Sequence, residues 1–143
     1  IGKKGSTANK QEGDKKTPKG IFEIENLYYR KDRILKPTTS LKSVVIKSSM
    51  GWCNDILLPK KYNKLIKIDK KSKHEKLKRK DTKYDLLIPI KYNFKKPISG
   101  KGSCIFLHLT KNYKPTAGCI ALKKKDFLIM LKIIKKNSKI KII

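Results

Sequence analysis

Hydrophobic and polar positions alternate over short spans in several parts of the chain, and helical spacing recurs once. In GIFEIENLYY (residues 20–29), Phe22 and Ile24 fall on one side of an extended backbone and Ile21 and Glu23 on the other, as in a strand. SVVIK at Ser43–Lys47 is a short β-branched run. YDLLIPIKYN at Tyr84–Asn93 predicts a strand interrupted by Pro89, which has no N–H for a ladder and so belongs at an edge or a bulge. SCIFLHL at Ser103–Leu109 predicts a further strand, with Cys104, Phe106 and His108 on one face and Ile105, Leu107 and Leu109 on the other. The closing KIKII alternates again. The helical pattern lies in ALKKKDFLIMLKIIKKN, residues 121–137, where Phe127, Met130, Leu131 and Ile134 stand at i, i+3, i+4 and i+7. Asp126 or a neighbouring lysine would begin its first turn.

Between these segments the pattern weakens. Residues 51–59 predict an irregular stretch holding Trp52 and Asp55. Residues 60–83, with KKSKHEKLKRK, predict a solvated loop or surface helix. Taken on their residues alone, positions 1–20 predict a flexible basic tail with turn signals. No internal repeat or linker is evident. Many short strands and one late helix predict a mainly-β fold, and 143 residues suit one domain with one core.

Composition changes this picture in two ways. The net charge of +27 suggests a polyanion partner, yet all but Arg30, Arg33 and Arg79 of the 38 basic residues are lysine. Proteins that read phosphates and bases favour the planar fork of arginine. Lysine in this excess, beside 19 isoleucines, resembles the coding bias of an AT-rich genome. No specific nucleic-acid binding is therefore expected, although the charge attracts polyanions such as lipid headgroups or cell-wall polymers. Cys53, Cys104 and Cys119 are odd in number and form no C-x-x-C pair, which argues against a disulfide framework and a zinc site. No metal or organic cofactor is expected. No apolar run reaches the length of a membrane span and no signal peptide is visible. Because the chain opens at Ile1 without methionine, a cleaved or trimmed upstream segment is expected, so this says little about compartment.

The chemistry-bearing residues converge on HLTKNYKPTAGCIAL, residues 108–122. A cysteine is a nucleophile only as thiolate, and a nearby imidazole can take the thiol proton. A Gly-Cys turn can also present bare backbone amides to a developing oxyanion, because Gly118 allows close backbone approach. The eleven-residue spacing from His108 to Cys119 suits a strand–loop–strand return. On residues alone, the pair could equally be a packed cysteine and a structural histidine. Cys104 and Cys53 read as packing residues, with Cys104 on the His108 face, and His74 as an exposed one.

The segment I-F-L-H-L…P-T-A-G-C-I-A-L resembles the active-site motif of the YkuD-type L,D-transpeptidase family. E-G-D-K-K-T-P-K-G-I-F-E-I at residues 12–24 resembles the family's T-P-x-G-x-F strand. Gly51-Trp52, Asp55, Tyr62-Asn63, Tyr84-Asp85 and Ile90–Asn93 resemble landmarks of the branch that carries P-T-A-G-C. The match is collinear over nearly the whole chain. It implies a β-sandwich or barrel with a helix after the catalytic turn, residues 10–20 ordered, and a first strand upstream of Ile1.

By the same resemblance, Cys119 is the nucleophile, His108 its base, and Thr116 and Gly118 shape the oxyanion turn. Tyr92 and Asn93 are candidates for the substrate groove. Ala117 and Ala121 stand where many members have a second histidine and an arginine. The implied substrates are peptidoglycan stem peptides. The implied reaction is 3→3 cross-linking through a Cys119 thioester in the bacterial periplasm or cell envelope. The alternatives are an L,D-carboxypeptidase on the same site and a non-catalytic, basic cell-wall-binding module.

Overall fold

A computed structural model describes residues 1–143. The opening segment is ordered and not a tail. β1 (Ser6–Thr7) pairs in parallel with β2 (Thr17–Pro18). Buried polar side chains lie between them: the Lys10 ammonium donates to the Gln11 carbonyl at 2.7 Å and to the Asp14 carboxylate at 2.6 Å. Asp14 also accepts the Gln11 and Lys16 amides. A buried charge is tolerated when it is paired and hydrogen-bonded in this way. A tail was expected because composition does not reveal that these polar groups bond one another instead of water.

β3 (Gly20–Glu23), β4 (Leu27–Tyr29) and β5 (Ser43–Val45) fall where the alternation places them. The stretch expected to be irregular contains β6 (Met50–Cys53), which carries Trp52 and Cys53 into the interior. The expected loop or surface helix over residues 60–83 instead supplies β7 (Leu65–Lys67) and β8 (His74–Lys76), both antiparallel to β6. The lysines misled because β7 and β8 are edge strands. Their charged side chains stay in water while the backbone pairs inward. His74, expected to be exposed, is half-buried, with its Nδ1 2.7 Å from the Ser72 carbonyl.

β9 (Leu86–Pro89), β10 (Phe106–Leu109) and β11 (Ile120–Leu122) complete a five-stranded sheet of order β11-β10-β9-β4-β5. β9 is the central strand, so Pro89 is not at an edge. The Ile90 N–H donates to Ile105 on the β10 side at 2.9 Å, which turns the Pro89 nitrogen toward β4. There the register slips by one residue between Tyr28↔Leu87 and the Ile24↔Ile90 bridge. The missing donor falls in that bulge.

The helix α1 (Lys124–Ile133) is shorter than its period suggested, because Ala121 and Leu122 belong to β11, which separates the helix from the Gly118-Cys119 turn. Asp126 stands in its first turn, and Phe127 and Leu131 are fully buried. β12 (Lys139–Ile142) pairs antiparallel with β3.

The fold is mainly β, compatible with a sandwich, and its core divides about the main sheet. Ile105, Leu107 and Leu109 pack with Phe127 and Leu131. Phe106 packs with Trp52, Tyr84, Leu87 and Cys119, its ring 5.4 Å from Trp52 and edge-on to it. Each such side chain fully withdrawn from water contributes about 1.5–3 kcal/mol.

Candidate active site

β10, between β9 and β11, carries His108, and residues 110–119 return the chain so that β11 runs parallel beside it. The register pairs Leu107 with Ile120 and His108 with Ala121. Cys119, two residues before Ala121, therefore shares the face of His108 as its diagonal cross-strand neighbour. Such neighbours lie about 7–8 Å apart at the backbone, within reach of long side chains. Both side chains line one cleft of about 250 Å³. The spacing read from the sequence does bring imidazole and thiol to one cleft.

The turn before Cys119 is tightly determined. Thr116 Oγ1 accepts the Gly118 N–H at 3.1 Å and donates to the Cys119 carbonyl at 2.6 Å. Gly118 has φ +148°, and a Cβ there would lie 2.9 Å from the Lys16 carbonyl oxygen, so only glycine fits without displacement. The amino-terminal segment braces the turn from the other side. The Thr116 N–H donates to the Ile1 carbonyl at 3.0 Å, and the Lys3 N–H donates to the Thr116 carbonyl at 2.9 Å. The Gly118 amide is thus engaged, whereas the Ala117 and Cys119 amides take no partner within the protein. Those two N–H groups, on residues that line the cleft, are the donors free to meet negative charge.

Electrostatics set the resting protonation. Burial pushes the Cys119 thiol up to about 12, only partly offset by the Phe106 backbone amide. Cys119 is 8% exposed, and its thiol donates to the Cys104 carbonyl at 3.1 Å. Burial also lowers His108 below its ordinary 6.5, against the raising effect of its bond to Leu109. Its Nδ1 lies 2.8 Å from the Leu109 carbonyl, which can only accept, so Nδ1 carries the proton and Nε2 is left basic. The two side chains are not hydrogen-bonded to each other. The resting pair is therefore a neutral thiol beside a neutral imidazole, not a thiolate–imidazolium pair.

The cleft also gathers Glu75, Arg79, Lys83, Tyr84, Lys111 and Lys114, none of which sequence reasoning placed there. The Tyr84 ring packs against His108 with centroids 5.3 Å apart, and the Arg79 guanidinium lies 4.9 Å from the Tyr84 centroid. One signal could have found Arg79. In a chain that writes nearly every cation as lysine, every arginine is paired with a carboxylate, Arg30 with Asp32, Arg33 with Asp85, and Arg79 with Asp81 and Glu75, whereas among the lysines only Lys10, Lys61 and Lys91 are.

The other candidate groove residues lie elsewhere. Tyr92 donates its hydroxyl to the Lys101 carbonyl. Asn93 bonds the backbone of Ile98 and Gly102, and neither lines this cleft. Their carbonyls accept the side-chain amide of buried Asn63, which also holds Trp52 and the Cys104 amide. Cys104 is half-buried at φ +54°, packs against the Trp52 cluster and presents its carbonyl to the thiol. Cys53 is a buried packing residue on β6.

The model of the YkuD family, the L,D-transpeptidase catalytic domain, matches residues 1–142. No curated protein matches the chain, and no solved structure does.

Proposed function

Because the chain belongs to the YkuD family of L,D-transpeptidase catalytic domains, with activity of that type on peptidoglycan, we propose that Cys119 is its acyl-accepting nucleophile and His108 its general base. The observation that best supports this reading is the juxtaposition of the two on one face of the β10–β11 pair, lining one cleft with the unpartnered Cys119 amide.

The neutral resting pair dictates the order of events. As the carbonyl carbon of the L-centred residue of a stem peptide approaches, the thiol turns from the Cys104 carbonyl and gives its proton to His108 Nε2. Sγ forms the C–S bond, and the carbonyl oxygen takes up the charge against the Cys119 and Ala117 amides. Collapse breaks the C–N bond to the terminal D-residue, whose nitrogen leaves with the proton from His108. A thioester remains on Cys119. The amine of a second stem attacks it and passes a proton to His108, and the sulfur leaves and recovers that proton. The product is a 3→3 amide cross-link. Water in place of the amine gives the L,D-carboxypeptidase outcome. Such a substrate lies outside the cytoplasmic membrane, which makes the periplasm or cell envelope the proposed site of action.

Intact-mass spectrometry with a stem tetrapeptide or a carbapenem is the direct test. A covalent adduct on Cys119, absent in Cys119→Ser, is expected. Product analysis then separates cross-linked dimer from trimmed tripeptide. If no adduct forms while the protein still sediments with insoluble peptidoglycan, the chain is a binding module.

A further inference from the structure

The catalytic cleft is cationic on most sides, as a chain of net charge +27 would make it, and this suits the carboxylates of a stem peptide. Glu75 is the single carboxylate among its lining residues. It stands on a paired strand, opposite Trp52 in the β6–β8 register, so its position is fixed by the sheet. Arg79 does not use it up. Asp81 already holds that guanidinium in a bidentate fork at 2.9 and 2.8 Å, while Glu75 offers Arg79 Nη1 only Oε1, at 2.7 Å. Two carboxylates to one guanidinium leave an excess negative charge, and Glu75 Oε2 has no partner in the protein.

A second observation converges on the same place. Tyr84 is a buried residue that lines the same cleft as Glu75 and Cys119, and its hydroxyl makes no hydrogen bond within the protein. That hydroxyl keeps its hydrogen-bonding capacity for water or for whatever occupies the cleft. A hydroxyl and a carboxylate oxygen are both acceptors. Together with local negative charge they match a donor that carries several hydrogens and a positive charge.

We infer that Glu75 and Tyr84 form a subsite for a primary ammonium group of the stem peptide beside the scissile or acyl bond. This rests on the acyl-transfer reading above and adds to it the residues that select the amine. The same chemistry has two sources: the side-chain amine of the donor's L-centred residue, or the amine of the acceptor stem. Elsewhere in the cleft an ammonium meets lysines, so Glu75 is where a positive group gains.

The experiment compares wild type, Glu75→Gln and Tyr84→Phe. Gln keeps the acceptor for Arg79, and Phe keeps the ring against His108. Thioester formation is followed by mass spectrometry with two tetrapeptide donors, one with the side-chain amine free and one with it acetylated. The thioester's partition between an amine acceptor and water is measured from the products. If the donor supplies the ammonium, the kcat/KM ratio of free over acetylated donor falls about tenfold or more in Glu75→Gln, chiefly through KM, the scale of one charge-assisted hydrogen bond. If the acceptor supplies it, partition shifts by a similar factor toward hydrolysis instead. Tyr84→Phe moves the same ratio in the same direction by less. Both ratios unmoved in both variants would overturn the subsite while wild-type thioester formation left the acyl-transfer reading standing. Wild type forming no thioester from either donor would remove both.

Discussion

The two faces of β10 belong to one four-residue strand and serve opposite ends. Leu107 and Leu109 point toward the helix, into an interior of aliphatic and aromatic side chains. Phe106 and His108 point toward Trp52, Tyr84 and the Gly118-Cys119 turn. On the helix side, burial stabilises the fold because the groups are apolar. On the other side, burial acts on groups that ionise, holding the thiol protonated and the imidazole neutral. The difference teaches that one physical cause, exclusion of water, yields stability or chemistry according to the residue the alternation delivers.

Substitutions on either face test that division. The largest expected effect is on the cleft face. His108→Ala slows thioester formation by about 10²–10⁴-fold per folded molecule, the range for a lost general base, with the fold kept at a lower melting temperature because a buried ring is removed. Stopped-flow or quenched mass spectrometry measures the rate, and unchanged acylation would remove His108 from the mechanism. On the helix face, Leu107→Ala costs about 2–5 kcal/mol of stability by denaturant unfolding. The folded fraction still acylates near the wild-type rate. A large loss of rate per folded molecule would mean the faces are not separable.

Gly118→Ala sits between the two. A Cβ pressed toward the Lys16 carbonyl at φ +148° costs about 1–3 kcal/mol. Acylation slows as the adjacent amides shift, and an alanine variant with native stability and rate would contradict the geometry. The smallest effect is in the pH profile. Because His108 is lowered below 6.5, its neutral form persists to lower pH, and the acid limb of kcat/KM for acylation falls below that value. A thiol held near 12 also alkylates with iodoacetamide more slowly at pH 8 than free cysteine does. An acid limb above 6.5 together with rapid alkylation would indicate a preformed ion pair.

Much of this architecture is legible in the residues. The period-2 face of residues 106–109, the helical face of Phe127 and Leu131, and the closing strand all rest on local spacing, which the side chains display directly; the strand expected to begin at Ser103 starts later, because Cys104 at φ +54° breaks the extended backbone. The pairing of His108 with Cys119 needed only a loop of the right length and a glycine. The three-stranded β7-β6-β8 sheet was not legible. Its outer strands are short, lysine-rich and half solvated, and nothing local says that β6 lies between them. Glu75, Arg79 and Tyr84 were missed for the same reason, since that sheet and the segment after it deliver them to the cleft. Pro89 argued for an edge or a bulge, and the slip in the β4 register, set by residues some sixty positions away, decides for the bulge and lets it sit in the central strand.

The brace formed by Ile1 and Lys3 on Thr116 ties the turn before Cys119 to backbone more than a hundred positions away in sequence. Local opening of that brace would free the turn without melting the sheet. The Thr116 amide should therefore exchange its hydrogen with deuterated solvent sooner than the amides of β9 and β10.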